Sequence, residues 1–224
     1  MSFLIFIPAR SGSIRLKNKN IKTINNVPLI KYTIDFSKRL NIKDIFCSTD
    51  SAKIKKICSE NGFFTSYTRP KKISKKLTTM AETVLHGAEW YKKNINSNIK
   101  NIILLQPTFP MRNLKVIKRS INLFKKKKIE SLSSISELKI DSSCLLYSKD
   151  EKNFSLPQVK KKDKVYKIDG NFYICSLKFL KDNKKFSILG KTKFINSQVK
   201  FPVDIDYLED FIIAKNIIEN VNKR

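Results

Sequence analysis

Two groups of residues, far apart in the chain, carry the side chains that could do chemistry. The first group is a basic loop over 8–20, with the sequence PARSGSIRLKNKN. Its glycine allows close backbone approach, its serines and amides donate hydrogen bonds, and its arginines and lysines neutralise negative charge. The spacing matches neither G-x-x-x-x-G-K-[ST] nor the three-glycine dinucleotide pattern. From the residues alone, the segment is either a polyphosphate-binding loop or an exposed basic loop.

The second group is a pair of aspartates, Asp204 and Asp206. An alternating pattern over 198–203 predicts a strand, after which the two carboxylates project to the same side. Beside a triphosphate loop they form a site for Mg²⁺, which takes carboxylate, water and phosphate oxygens. Alternatively, Asp206 caps a helix over 207–221, with Glu209 completing a capping box. Both roles are compatible, because capping uses only one carboxylate oxygen.

A sheet must position these two groups. The apolar run over 3–7 is typical of a strand buried on both faces of a parallel sheet, and it leads directly into the basic loop. Strands and helices then alternate, which predicts a doubly wound α/β fold. The predicted strands cover 3–7, 44–49, 63–67, 101–105, 131–136, 144–147 and 164–174, the last around the turn dipeptide Asp169-Gly170. The predicted helices cover 28–40, 52–61, 80–93, 114–126 and 207–221. Ligands of such sheets bind beyond the carboxyl ends of the strands, where Arg10, Asp50 and Arg69 fall.

The length of 224 residues fits one α/β domain, whereas the net charge of +27 needs an explanation. Excess lysine favours nucleic-acid binding, but these lysines run through every segment and accompany many Asn and Ile residues. That distribution indicates a compositional bias more than a shaped binding face, so nucleic-acid binding is the secondary interpretation. In either case the positive field attracts an anionic nucleotide or sugar.

Histidine, cysteine and apolar content narrow the class of protein further. His86 is the single histidine and no serine lies in a nucleophile elbow, so the sequence offers nothing for a hydrolytic triad. The four cysteines have no metal or redox spacing, which is typical of a reducing cytoplasm. No apolar segment approaches the ~20 residues of a membrane span. We therefore expect a soluble, cytoplasmic protein with no membrane partner.

Four stretches in order along the chain resemble the sugar nucleotidyltransferases that make CMP-activated sialic acids. They are the basic loop ending in K-N-K-N-I, the S-T-D over 48–50, the L-L-Q-P-T over 104–108 with Pro110 and Arg112, and the V-D-I-D over 203–206. Together they extend over nearly the whole chain. The sequence is thus similar to the CMP-sialic acid synthetase (acylneuraminate cytidylyltransferase) family.

This resemblance implies a nucleotidyltransferase that joins CTP to a nine-carbon nonulosonic acid and releases pyrophosphate, on a Rossmann-like, doubly wound, mostly parallel sheet. It implies Mg²⁺ on Asp204 and Asp206, which with Arg10 and Lys19 form the catalytic set. The implied nucleotide-binding residues are Ala9, Arg10, Ser13, Arg15, Lys19, Asn20, Arg69, Thr78 and Thr79, and the implied sugar-binding residues are Gln106, Thr108 and Tyr173. It also implies a single domain over 1–224, with a dimerisation lobe at about 137–170 and a homodimeric assembly.

Several positions depart from the family pattern. Lys17 and Asn18 stand where the family usually has glycine or proline, and the usual S-D-x-T before the third helix is replaced by the S-K-K-L-T over 74–78, without its aspartate. Lysines over 160–162 replace an arginine, and the turn dipeptide Asp169-Gly170 replaces N-G. These changes leave two alternatives open. One is a cytidylyltransferase for 3-deoxy-octulosonate, which K-N-K-N-I fits less well, and the other is a non-catalytic relative that binds nucleotide or nucleic acid.

Overall fold

A six-stranded sheet forms the centre of the protein, as seen in a computed structural model that describes residues 1–63, 66–126, 129–140, 145, 147–148, 154–155 and 164–221. The strands are β1 (Phe3–Pro8), β2 (Thr23–Ile24), β3 (Val27–Pro28), β4 (Ile45–Ser48), β5 (Asn101–Leu104), β6 (Ser131–Leu138), β7 (Tyr147–Ser148), β8 (Phe154–Ser155), β9 (Val165–Ser176) and β10 (Lys193–Asn196). The helices are α1 (Leu29–Lys38), α2 (Ala52–Glu60), α3 (Met80–Asn94), α4 (Leu114–Lys126), α5 (Leu177–Asn183) and α6 (Leu208–Val221).

The strand order is β10-β6-β9-β5-β1-β4, and β9 is the strand that runs antiparallel to its neighbours. The pairs β2–β3 and β7–β8 form small separate sheets. The central sheet is therefore mostly parallel and has helices on both faces, so the predicted α/β class is confirmed. This arrangement brings the ends of β1, β4 and β5 to one edge of the sheet.

Strand β1 is buried along its whole length, as its unbroken apolar sequence predicts. Phe3, Ile5 and Ile7 belong to a core with α1 and α4, whereas Leu4 and Phe6 belong to a second core with α3. Gly87 lets α3 lie close to this strand, because a Cβ there would be 2.7 Å from the Phe6 ring. Tight packing on both faces fixes the point at which the strand ends and the basic loop begins.

Two predicted helix starts are confirmed by their capping bonds. Thr79 and Glu82 form a reciprocal capping box at the start of α3. The Asn113 side chain accepts a hydrogen bond from the amide of Val116 at the start of α4, at 3.2 Å. Both caps satisfy backbone amides that have no partner within their helices.

The segment before the two aspartates differs from its prediction. The strand expected over 198–203 is wrong, because β10 lies a few residues earlier and pairs in parallel with β6. Asp204 and Asp206 therefore lie on an extended segment rather than directly after a strand. The amide of Ile205 between them donates to the carbonyl of Thr108 at 2.8 Å, which ties this segment to the residues that follow β5.

The Asp169-Gly170 dipeptide does not turn the chain as predicted. It lies within the single long strand β9, opposite an irregularity in the register between Ser133 and Ile135 of β6. Gly170 has φ +74°, a conformation that favours glycine.

Two predictions involve residues outside the described part of the chain. The predicted strand over 63–67 includes two such residues, and most of the predicted lobe at 137–170 lies among them, so both remain predictions. Within the described residues, no helix is long and apolar enough to cross a membrane.

Candidate active site

A cavity of about 510 Å³ opens at the edge of the sheet where β1, β4 and β5 end. Four segments of the chain line it: the basic loop, the segment around the start of α3, the residues after β5, and the residues 204–206, called the aspartate segment below. The lining residues are Pro8, Arg10, Ser13, Ile14, Arg15, Leu16, Lys19, Asn20, Arg69, Ile73, Lys75, Lys76, Thr78, Met80, Thr83, Gln106, Pro107, Thr108, Asp204 and Asp206. Most of the predicted site residues thus share one cavity, where the basic loop meets Asp204 and Asp206.

Asp50, which follows β4, holds the basic loop in place. Its carboxylate accepts hydrogen bonds from the Ser11 amide at 2.7 Å and from the Ser11 hydroxyl at 3.0 Å. The Asn20 side chain donates to the carbonyl of Arg10 at 3.0 Å, which links the two ends of the loop. Sequence reasoning placed Asp50 at this edge but gave it no role. Its position directly after the buried S-T of a strand is the signal for such an anchor.

The basic loop contacts the aspartate segment through Asp206. The Lys19 ammonium donates to Asp206 Oδ1 at 2.8 Å and to the carbonyl of Ile205 at 2.7 Å. The Arg15 guanidinium donates to Asp206 Oδ2 at 3.2 Å and lies 5.0 Å from the ring centroid of Tyr207. Lys19 is mostly buried, with 12% of its side chain exposed, so its charge is fixed in position. These contacts join two segments separated by almost the whole chain.

The capping role considered for Asp206 is wrong. Helix α6 begins at Leu208, and Asp210, its third residue, takes the part expected of Glu209: its carboxylate accepts from the amides of Asp206 at 2.9 Å and Tyr207 at 2.8 Å. The Asp206 side chain instead faces the cations of the basic loop. Its carboxylate therefore belongs to the cavity and not to the start of α6.

Asp204 sits in a different electrostatic environment from Asp206. It is accessible from the cavity, yet enough protein surrounds it to raise its pKa by desolvation, and the nearby charge of Asp206 adds to the rise. A hydrogen bond with Thr108 acts in the opposite direction. Gly170 packs beside this carboxylate, since a Cβ there would lie 3.4 Å from Asp204 Oδ2 and 3.5 Å from the Gln106 amide nitrogen. These are ordinary contact distances, so the positive φ of Gly170, rather than lack of space, is what favours glycine here.

Arg69 forms a buried part of the cavity wall. Its guanidinium donates to the Ser48 hydroxyl at 3.0 Å and to the Ser48 carbonyl at 2.5 Å, so it fixes the end of β4. Burial lowers the pKa of this arginine through desolvation. Thr78 also lines the cavity. Thr79 caps α3, and Ala9 is fully buried below the loop, so neither belongs to the lining.

The predicted sugar-binding residues divide in the same way. Gln106 and Thr108 line the cavity, whereas Tyr173 lies outside the lining and packs on Phe186 with ring centroids 5.3 Å apart. Burial raises the pKa of Tyr173 to about 12, and the charges of Asp204 and Asp169 add to the rise. Tyr173 therefore keeps its proton at neutral pH.

Arg112 supports this part of the site from below. Its guanidinium donates to the carbonyl of Gln106 at 2.5 Å, to the carbonyl of Asn171 at 3.1 Å and to the Thr33 hydroxyl at 3.0 Å. Burial lowers its pKa by desolvation, and the charges of Asp204 and Asp169 oppose that shift. Sequence reasoning found Arg112 only as part of a motif. The structure gives it the role of positioning Gln106.

The donor set of the cavity fits Mg²⁺. Within the part of the chain that the structure describes, no three or more His, Cys, Asp or Glu side chains cluster as metal ligands. Mg²⁺, however, is usually held by one or two carboxylates together with water and substrate phosphates. Asp204 and Asp206 supply two carboxylates in a cavity whose cations suit phosphates. They are the residues that could hold the ion.

Replacing Asp50 by alanine is expected to raise the KM for a nucleoside triphosphate substrate about tenfold. The substitution removes both bonds that hold Ser11, and a hydrogen bond to a charged group contributes about 1.5–3 kcal/mol. The matched control is Asp35→Ala, which removes an exposed ion pair with Lys31 on α1. Steady-state kinetics of both variants measure the effect, and equal KM values for the two would refute an anchoring role for Asp50.

Comparison with known proteins places this geometry in a family. A family model described as Cytidylyltransferase matches residues 4–213. CMP-N,N'-diacetyllegionaminic acid synthase of Legionella pneumophila is 25% identical over 98% of this chain and 97% of the relative. Pseudaminic acid cytidylyltransferase of Campylobacter jejuni is 25% identical over 99% of this chain and 98% of the relative. N-acylneuraminate cytidylyltransferase of Streptococcus agalactiae is 28% identical over 95% of this chain, but the match spans only 52% of that longer relative.

Among solved structures, a CMP:2-keto-3-deoxy-manno-octonic acid synthetase complexed with CTP superimposes with a TM-score of 0.72. The match covers 98% of this chain and 99% of that one at 14% identity, so it bears on the fold alone. The family model, in contrast, extends over the basic loop, the sheet and both cavity aspartates. The resemblance indicated by the four sequence motifs is confirmed, and the chain belongs to the cytidylyltransferase family of nucleotidyltransferases.

Proposed function

We propose that this enzyme transfers CMP from CTP to a nonulosonic acid and releases pyrophosphate. The observation that carries the proposal is the meeting of the basic loop and the aspartate pair in one cavity, joined by the contact between Lys19 and Asp206. The sugar class is supported by the relatives named for legionaminic, pseudaminic and N-acylneuraminic acids. A cavity rich in cations suits two substrates that are both anionic.

The proposed reaction is an in-line displacement at the α-phosphorus of CTP. The anomeric hydroxyl of the sugar gives its proton to solvent water as its oxygen forms a bond to that phosphorus, and the bond from the phosphorus to the bridging oxygen breaks and releases pyrophosphate. Arg10 and Lys19 hold the phosphates and neutralise the charge that develops on them. Gln106 and Thr108 hold the sugar near the aspartate segment. No covalent enzyme intermediate is required.

We infer that Asp204 and Asp206 hold Mg²⁺ for this reaction. When bound, the ion stabilises negative charge on the phosphates and on the leaving pyrophosphate. Lys19 and Arg15 keep the Asp206 carboxylate oriented, because each donates to a different oxygen of it. Thr108 orients Asp204 through its hydrogen bond. These three side chains thus preorganise the acidic side of the cavity.

We also propose that the enzyme is a cytoplasmic homodimer. Ile140, Tyr166 and Ile168, in the described ends of the predicted lobe, are 48%, 44% and 48% exposed, which suits a surface covered by a second copy. Cys47, Cys58 and Cys175 are free thiols, as is usual in a reducing compartment. Sedimentation velocity of the wild type and of Tyr166→Lys tests the dimer. A monomeric wild type would contradict it.

The test of the function is pyrophosphate release, measured with each nucleoside triphosphate and with a panel of sugar acids. We expect turnover with CTP and with one of the sialic, legionaminic or pseudaminic acids, and much slower turnover with ATP, GTP or UTP. Faster turnover with 3-deoxy-octulosonate would favour the alternative eight-carbon acceptor. Comparable turnover with all four nucleotides, or none with any sugar, would contradict the proposal.

A further inference from the structure

Two lysines of the cavity, Lys75 and Lys76, have no assigned role. They lie between the 3-10 helix Lys71–Ile73 and α3, where the family pattern S-D-x-T has been replaced. Both side chains line the cavity, and both residues are exposed to solvent. The segment therefore adds two cations to one wall of the site.

Lys75 and Lys76 differ from the other cations of the cavity in their contacts. Arg15 and Lys19 are engaged with Asp206, and Arg69 is engaged with Ser48. Neither Lys75 nor Lys76 has a side-chain hydrogen bond or an ion pair among the residues that the structure describes. Their ammonium groups are thus available to an anion from outside the protein. Each carries three N–H donors and accepts nothing.

The backbone of this segment is held beside the basic loop. The Arg10 guanidinium reaches the carbonyl of Ser74 at 3.5 Å, and the amide of Thr78 donates to the carbonyl of Lys75 at 3.2 Å. Lys75 directly follows the residue that Arg10 contacts. A phosphate bound by Arg10 is therefore close to the segment that carries the two free lysines.

The charge of the cavity indicates what the lysines bind. Six cationic side chains line it against two carboxylates, and the cations are Arg10, Arg15, Lys19, Arg69, Lys75 and Lys76. The α-phosphate must lie near the aspartates, where the sugar attacks. The terminal phosphates carry most of the charge of a nucleoside triphosphate and extend away from the attacked phosphorus. Long, solvated ammonium side chains suit such a group, because they can follow it as it leaves.

We propose that Lys75 and Lys76 bind the terminal phosphates of the nucleoside triphosphate, which become the pyrophosphate product. This assignment rests on the proposed function. It makes the two lysines positioning residues for the leaving group rather than contacts to the base or to the sugar.

The experiment compares two double variants that lose the same charge from the same segment. Lys75→Ala with Lys76→Ala removes the cavity lysines, whereas Lys71→Ala with Lys72→Ala removes exposed lysines outside the lining. Because both lower the net charge by the same amount, the long-range field is matched. Titration calorimetry with Mg²⁺ and no sugar measures the Kd for CTP and for CMP. Thermal melts check that both variants are folded.

We expect the cavity double variant to bind CTP about tenfold more weakly and CMP with wild-type affinity, because CMP lacks the terminal phosphates. Its CTP affinity should also depend less on salt, since two charge contacts are lost. The Lys71 and Lys72 control should bind both nucleotides like the wild type. Lys75→Arg with Lys76→Arg should restore most of the CTP affinity, because the charge is retained.

Three results would overturn the assignment. They are an unchanged CTP affinity in the cavity double variant, an equal loss of CTP and CMP affinity, and a loss of CTP affinity in the control of the same size. In each of these the wild type still binds CTP, so the proposed function is unaffected. A wild type that binds no CTP would instead overturn the proposed function together with this inference.

Discussion

Replacing Lys19 by alanine is expected to lower kcat for CMP transfer by about 100- to 1000-fold, as does the loss of other preorganised donors at a developing charge. Two of the three ammonium donors contact the carbonyl of Ile205 and the carboxylate of Asp206, which leaves one for a phosphate oxygen. The substitution removes that donor and also frees one oxygen of Asp206. Steady-state kinetics with CTP and the preferred sugar measure the effect.

Lys17→Ala is the matched control for this prediction. Lys17 belongs to the same loop and carries the same charge, but it is exposed and lies outside the cavity lining. We expect its kcat to stay within about twofold of the wild type, since an exposed charge contributes little. If the two variants turn over at the same rate, the loop is only a basic surface.

Replacing Asp204 or Asp206 by asparagine is expected to lower the rate at limiting Mg²⁺ by about 100-fold, as the loss of one preorganised charge does elsewhere. Each variant keeps the size of the side chain and loses the charge that would hold the ion. The melting temperature should change little, because asparagine keeps an oxygen that can accept from Lys19 and the pair of Asp206 with Arg15 is exposed. At Asp204, burial raises the pKa and already disfavours the charged form, so losing the charge costs the fold little. The measurement is pyrophosphate release as a function of Mg²⁺ concentration, beside thermal melts.

Asp210→Ala separates the structural role from the catalytic role. Asp210 is the third residue of α6 and accepts from the two amides that precede the helix, so its loss should lower the stability by about 1 kcal/mol and leave the Mg²⁺ dependence almost unchanged. The aspartate variants should show the reverse. Wild-type rates for Asp204→Asn and Asp206→Asn at limiting Mg²⁺ would mean that the two aspartates do not hold the catalytic ion.

Local sequence patterns predict the elements that depend on interactions between residues close together in the chain. The unbroken apolar run of β1 can only be buried on both faces, and the structure buries it so. The capping box of α3 follows from the spacing of Thr79 and Glu82, because both bonds form within one turn. The basic loop follows from its composition and from the strand before it.

The predictions that proved wrong concern features that depend on contacts between distant segments. Nothing in the sequence over 193–203 shows which of its residues pair with β6, so the alternating pattern indicates a strand over 198–203 whereas the strand is Lys193–Asn196. Spacing alone allows Asp206 to cap α6, but its carboxylate is engaged by Lys19 from the other end of the chain, and α6 begins at Leu208. The Asp169-Gly170 dipeptide suits a turn, but pairing with β6 on both sides keeps it inside β9.

The candidate site was predicted better by motifs than by residue chemistry. Composition and spacing found the basic loop and the aspartate pair but left each with two interpretations. The family motifs added Gln106 and Thr108, and the alternation of strands and helices placed Arg69 at the same edge; the structure brings all three into the cavity. Asp50 holds Ser11 of the basic loop, and its position directly after a buried strand signals such an anchor, whereas no local pattern reveals the bond of Arg112 to Gln106.

The most direct test of the central claim is a ³¹P NMR spectrum of the enzyme with CTP, Mg²⁺ and a mixture of nonulosonic acids. We expect the CTP signals to be replaced by the phosphodiester signal of a CMP-sugar and by the signal of pyrophosphate, with one molecule of pyrophosphate formed for each CMP-sugar. The same sample without sugar should keep its CTP. Persistence of CTP with every acid, or its conversion to CDP and inorganic phosphate, would contradict the account.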